Sequence, residues 1–245
     1  MTLINAFFFF LVAVVYSSAG FGGGSMYLAI LSQSSLSNVL IRFMGLSCNT
    51  LVTSVGSFNF IRGGWVSWKS SLQLLACSVP FAMIASSIKL SGNTYFIILG
   101  ICLFIAAIAM LVQRKSAALQ TSVPANKWFL FPISAAVGFI AGLTGIGGGV
   151  YLSPVLHLTG WGSSKHIAAT SSLFILVNSI VSLIVQFTIQ NVVVDHTLVL
   201  YLSVVFAGSV IGSNLSSNVL KQIHVRYITI ALILFASLRV LSKYL

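Results

Sequence analysis

Two short glycine runs carry the chemistry available to this chain. Gly20-Phe21-Gly22-Gly23-Gly24 and Gly145-Ile146-Gly147-Gly148-Gly149 each lie inside a long apolar stretch. Successive glycines weaken a helix by about 1 kcal/mol each against alanine. They also admit the positive φ of a sharp turn. A break of this kind at membrane depth frees backbone N–H and C=O groups, which must then face protein or water rather than lipid. The half-helix that follows starts near Ser25 in the first case and near Val150 in the second. Its N-terminus presents unpaired N–H groups and about half a positive charge. Backbone alone can thus make an anion site, and its candidate substrate-binding residues are Gly22, Gly23, Gly24, Ser25, Gly147, Gly148 and Gly149. Close helix packing through glycine is the competing use of a single run. Two runs in corresponding places, each interrupting an overlong apolar segment, favour a substrate site between repeats.

Polar residues within apolar stretches come next. Asn49, Thr50, Thr170, Ser171 and Asn178 are candidates to line the same site and donate hydrogen bonds to an oxyanion. Interhelical hydrogen bonding, worth about 0.6 kcal/mol on average, is the simpler reading of each Ser and Thr taken singly, while Asn49 and Asn178 fit either use. Arg42 and Arg239 lie near helix ends, where a long cationic side chain reaches for the interface. His157 and His166, with Lys165, read as interfacial, and Asp195 beside His196 reads as a solvated loop pair. Cys48, Cys77 and Cys102 form no CxxC pattern and read as small packing residues. No metal or cofactor is expected.

The elements that must position these residues are membrane helices. The 245 residues are 58% hydrophobic and 5% charged, whereas a soluble domain carries about 25% charged residues. So few charges cannot make a water-facing surface. A span needs about 20 apolar residues, and eight apolar elements are predicted, over 2–31, 37–60, 71–88, 95–112, 128–156, 166–189, 197–215 and 224–241. Leu3 to Val15 has no Lys or Arg before it, so it reads as a membrane segment and not as a signal peptide. The predicted fold class is all-α: a polytopic membrane protein of two repeated halves, each of about four helical elements, with glycine-broken helices. The first repeat is residues 1–112, the linker 113–127 and the second repeat 128–245.

The halves align feature by feature. The glycine runs correspond, Asn49-Thr50 falls near Asn178-Ser179, and Val66-Ser67-Trp68 falls near Val194-Asp195-His196. If each broken element crosses once, the halves are parallel. If each is a re-entrant hairpin, the halves are inverted. Arg62, Lys69, Arg114, Lys115, Lys127, Lys165, Lys221 and Arg226 then share one face, with Arg42, Lys89, Arg239 and Lys243 on the other. The inverted arrangement obeys the positive-inside rule better and places both termini outside the cytoplasm.

Twelve Lys and Arg stand against one acid, for a net charge of +11. The basic residues are scattered singly between apolar segments, which fits membrane anchoring rather than nucleic-acid binding. The scarcity of acids argues against a cation carrier, which needs carboxylates at membrane depth. The expected partners are a small anion and membrane lipid, and a homo-oligomer is compatible with the sequence.

Several of these motifs together resemble the sulfite exporter family of the TauE/SafE type. They are Gly145-Ile146-Gly147-Gly148-Gly149 followed by Pro154, then Ala169-Thr170-Ser171, the earlier copy Gly20-Phe21-Gly22-Gly23-Gly24, and Arg62-Gly63-Gly64-Trp65-Val66-Ser67-Trp68. The first half departs from the second at Ala29 against Pro154 and at Met44-Gly45 against Thr170-Ser171. The resemblance implies a transporter, not an enzyme, that moves sulfite or organosulfonates out across the cytoplasmic (plasma) membrane. A passive anion channel would use the same helix dipoles. An intramembrane serine protease is the remaining rival, with Ser25 after a glycine run and His224 at the start of a late element, but no GxSG sequence is present and the duplication has no role in that chemistry.

Overall fold

The computed structural model describes residues 2–34, 36–90, 92–112, 127–190, 196–218 and 222–244. The fold is all-helical across these residues. The helices are α1 (Thr2–Ser18), α2 (Gly24–Leu31), α3 (Asn38–Arg62), α4 (Trp68–Ser87), α5 (Gly92–Val112), α6 (Lys127–Thr144), α7 (Gly149–Leu158), α8 (Ser164–Gln190), α9 (His196–Asn218) and α10 (Gln222–Tyr244). Six of them, α3, α4, α5, α8, α9 and α10, are long and apolar enough to cross a membrane. Large apolar side chains such as Phe81, Ile84, Ile105, Ile184, Phe187 and Leu238 point outward, as a lipid-facing surface requires. The two overlong predicted elements are each split where the glycines fall, into α1–α2 and α6–α7. Residues 113–126 of the expected linker lie outside the described residues, as do Asp195 and Lys221.

Glycines set the closest helix pairs. On α6, Ser134 donates to the Leu74 carbonyl of α4 at 2.6 Å. One and two turns further, Gly138 and Gly142 press on Ser78 and Ala82, so α6 and α4 run parallel. On α9, Gly208 presses on Phe10 and Ala13 of α1, and Gly212 on Val14, so α1 and α9 also run parallel. α3 and α8 cross antiparallel at the centre, with Ser57 against Ser172 at 3.1 Å and Asn49 against Ser179 at 3.0 Å. α5 and α10 are antiparallel too: Phe96 stacks on Tyr244 at 4.1 Å, and Ser237 donates to the Gly100 carbonyl at 3.0 Å.

These registers fix the route of the broken elements. α6 runs from the face that holds Trp65 towards the face that holds Arg42, and its tip Gly145 lies beside Arg42. α7 then returns, because the loop after it places Lys165 over the Trp65 ring at 4.6 Å. α1 runs the other way, with Gly20 at its tip beside Phe60 and Ala168. α2 returns to the Arg42 face, where the Ser32 carbonyl accepts from Lys243 and Tyr244 at 2.6 and 2.8 Å. Each broken element therefore enters and leaves on one face, and the two point in opposite directions.

Candidate functional site

The returning strands of the two hairpins meet in the middle of the bundle. Gly23 and Gly148 take the left-handed backbone, with φ of 77° and 86°, directly before α2 and α7. Only glycine adopts this conformation without strain. It turns the chain so that each half-helix starts inward, at Gly24 and Gly149, each one residue before its predicted start. Neither N-cap glycine has a side chain to cap its helix, and among the described residues the one side-chain acceptor at either start is Asn49 of α3, on the Gly24 N–H. Among the described residues, the N–H groups of Gly22, Gly23, Ser25, Gly147, Gly148, Gly149 and Val150 have no acceptor. All of these residues are buried.

Asn49 of α3 joins the two breaks. It is 1% exposed. Its Oδ1 accepts from the Gly24 N–H at 3.2 Å, and its Nδ2 donates to the Ile146 carbonyl at 2.9 Å and to Ser179 Oγ at 3.0 Å. One side chain thus ties the first break, the second break and α8. A Cβ on Gly147 would stand 2.7 Å from Asn49 Nδ2 and 2.6 Å from Ser179 Oγ, and one on Gly22 would overlap Asn49 Oδ1. The glycines are needed here for close approach as well as for turning.

The other predicted polar residues divide into two groups. Thr50 Oγ1 and Ser171 Oγ are buried without a hydrogen-bond partner, and the Ser171 carbonyl lies against Gly149. Neither hydroxyl is engaged by another described residue. Thr170 is tied to Ser71 of α4 at 3.2 Å. Asn178 accepts from Ser78 at 3.1 Å and donates to its own helix at the Phe174 carbonyl, 2.9 Å away. Asn178 is therefore not the counterpart of Asn49. The α8 residue at the place that Asn49 holds on α3 is Ile175, whose side chain crowds Gly147 and Gly149. Ser25 Oγ faces Tyr16 OH at 3.1 Å, a phenol and not a histidine, and the side chain of His224 lies outside the described residues.

Three contributors to this centre were not anticipated: Ser179, Tyr16 and Tyr27. The Tyr27 hydroxyl is buried, has no partner and stands 3.1 Å from where a Gly23 Cβ would be. A tyrosine in the first turn of a half-helix was its sequence signal. Arg42 also departs from expectation. It does not reach for the interface but is 2% exposed, and donates to the Gly142 carbonyl at 2.7 Å and the Ile88 carbonyl at 3.4 Å. Its charge meets the carbonyl ends of α6 and α4, where a cation is favoured.

Membrane-length helices packed round two opposed, buried helix N-termini with unpaired N–H groups define a multi-pass membrane protein of the transport class. Residues 5–240 match the sulfite exporter TauE/SafE family. The chain is similar to the probable membrane transporter protein y4hK of Sinorhizobium fredii (strain NBRC 101917 / NGR234), at 32% identity over 236 residues covering 95% of each chain. No solved structure matches it. The chain belongs to the sulfite exporter TauE/SafE family of membrane transporters.

Proposed function

We propose that the protein exports small sulfur-containing anions, sulfite or an organosulfonate, across the cytoplasmic membrane. The observation that carries this reading is the pair of half-helix N-termini, joined at Asn49, that keep unpaired N–H groups. Two positive dipole ends and unpaired N–H groups converge where the sequence supplies no carboxylate: its one acid is Asp195, beyond the glycine runs and the helices that hold them. Such a centre favours an anion and repels a cation. Thr50 and Ser171 add hydroxyl donors, and Asn49 acts as the brace, because both ends of its amide are already used.

The halves are proposed to be inverted repeats. Their packing supports this: α1 lies on α9 as α6 lies on α4, α2 on α10 as α7 on α5, and α3 crosses α8 as α5 crosses α10. Alternating access then follows from rocking one half against the other, or from gating, around the joined glycine loops. An anion leaving a negative interior gains about 2.3 kcal/mol per charge per 100 mV, so export needs no coupling ion. Liposomes loaded with sulfite, sulfoacetate or chloride test the reading. Saturable efflux of the sulfur anions with counterflow is expected. Efflux that rises linearly without counterflow would make the protein a channel, and efflux of none of the three would remove the anion reading.

A further inference from the structure

Gln186 of α8 is 0% exposed, and neither its Oε1 nor its Nε2 has a hydrogen-bond partner. A buried amide left unpaired at both ends is costly, so some polar group outside the described contacts is called for. The α3–α8 register places this amide. Asn49 meets Ser179. Seven residues back along α3 is Arg42, and seven residues on along α8 is Gln186. Seven residues are two turns, so both side chains stay on the facing stripes of an antiparallel pair. Gln186 is thus level with Arg42. Arg42 Nε is itself buried without a partner, and a Cβ on Gly145, the tip of the second hairpin, would stand 3.6 Å from the Arg42 stem.

The opposite hairpin tip has a different lining. A Cβ on Gly20 would touch Phe60 at 3.1 Å and Ala168 at 3.2 Å. Counted from the first residues of α3 and α8, Ala168 corresponds to Arg42 and Phe60 to Gln186. One hairpin tip therefore meets apolar side chains, whereas the other meets the Arg42 stem, and the register sets Gln186 at the level of Arg42, both with unused donors. A guanidinium N–H and an amide NH₂ together suit an oxyanion. The free Gln186 Oε1 adds an acceptor for a hydroxyl on that anion or on a water it carries.

From this we infer that Arg42 and Gln186 form a second oxyanion subsite, a loading station at the second hairpin tip that takes the same sulfite or sulfonate group as the central site. It rests on the proposed anion transport and adds a site on one face only. Detergent-purified protein is tested by thermal unfolding in sulfite, methanesulfonate and sulfate, with chloride at equal ionic strength as reference. Gln186→Leu removes the amide at similar volume, and Gln186→Glu places a carboxylate beside Arg42. Oxyanions are expected to raise the melting temperature of the wild type above the chloride value. Both variants should fold, keep only the part of that rise that the central site supplies, and show KM for sulfite efflux about tenfold higher, the loss expected for one hydrogen bond to a charged group. Arg42→Lys should show the same loss. Wild-type efflux with unchanged KM and an unchanged oxyanion shift in Gln186→Leu would overturn the subsite and leave the transport reading standing. No oxyanion shift in the wild type would also overturn it, with water alone between the two side chains. A shift that depends on Gln186 in a protein that moves no anion would instead support the subsite and count against the transport reading.

Discussion

Replacing Asn49 with alanine should loosen the centre of the protein by about 3 kcal/mol. Three groups lose their partner at once: the Gly24 N–H, the Ile146 carbonyl and Ser179 Oγ. A buried unpaired group costs about 1–3 kcal/mol in a protein interior, whereas interhelical hydrogen bonds in membranes average about 0.6 kcal/mol. About 1 kcal/mol each lies between the two. At about 2–4 °C per kcal/mol for a chain of this size, the melting temperature should fall by about 6–12 °C. Asn49→Asp separates the brace from the anion site. The carboxylate keeps the acceptor for Gly24 and can accept from the Ser179 hydroxyl, leaves the Ile146 carbonyl without a donor, and gains from the two helix N-termini by up to about 2 kcal/mol in a buried setting. It also sets a fixed negative charge where the anion should sit. Asn49→Asp should therefore insert, unfold less readily than Asn49→Ala, and carry no anion. The assay is thermal unfolding in detergent alongside efflux from liposomes. If Asn49→Ala melts with the wild type, Asn49 is not the brace; if Asn49→Asp transports normally, the joined loops are not the site.

Gly142→Ala and Gly212→Ala reverse a familiar sign. Alanine normally stabilises a helix interior by about 1 kcal/mol over glycine, but here a Cβ runs into the Ala82 carbonyl of α4 or the Val14 carbonyl of α1, so both should lower the melting temperature. Gly64→Ala meets nothing within 4 Å and has only its φ of 69° to strain; it should insert and transport. In a cysteine-free background, single cysteines at Leu3 and Gln33 should be labelled by an impermeant maleimide from the same side. Labelling from opposite sides would mean that the first broken element crosses the membrane.

The pattern of breaks was legible because glycine acts locally. Both half-helices begin one residue from their predicted starts, and the spans around them follow the apolar lengths. The partners across the bundle were less legible. Asn49 and Asn178 look equivalent in a linear alignment, but three residues of shift in α8 turn Asn178 towards Ser78 and leave Ile175 at the glycines. Arg42 looked interfacial because it sits near the start of α3. Only the convergence of the α4 and α6 carbonyl ends makes a buried position tolerable. An aspartate at Gly148, an obvious charge probe from sequence, would press its Cβ to 2.9 Å from Ala141 and Phe174, which is why Asn49→Asp is the cleaner probe. Gln186 did have a sequence signal, as an amide in an apolar run, but its meaning depends on the α3–α8 register.

The central claim is that a buried backbone site passes an anion without a coupling ion. Sulfite and sulfoacetate flux from proteoliposomes, measured with and without an imposed voltage at equal pH on both sides, tests it most directly. The account predicts saturable flux that follows the voltage and, for a single charge at 100 mV, approaches a gradient of about fiftyfold. Flux that ignores voltage and follows only a pH gradient would contradict uncoupled anion movement.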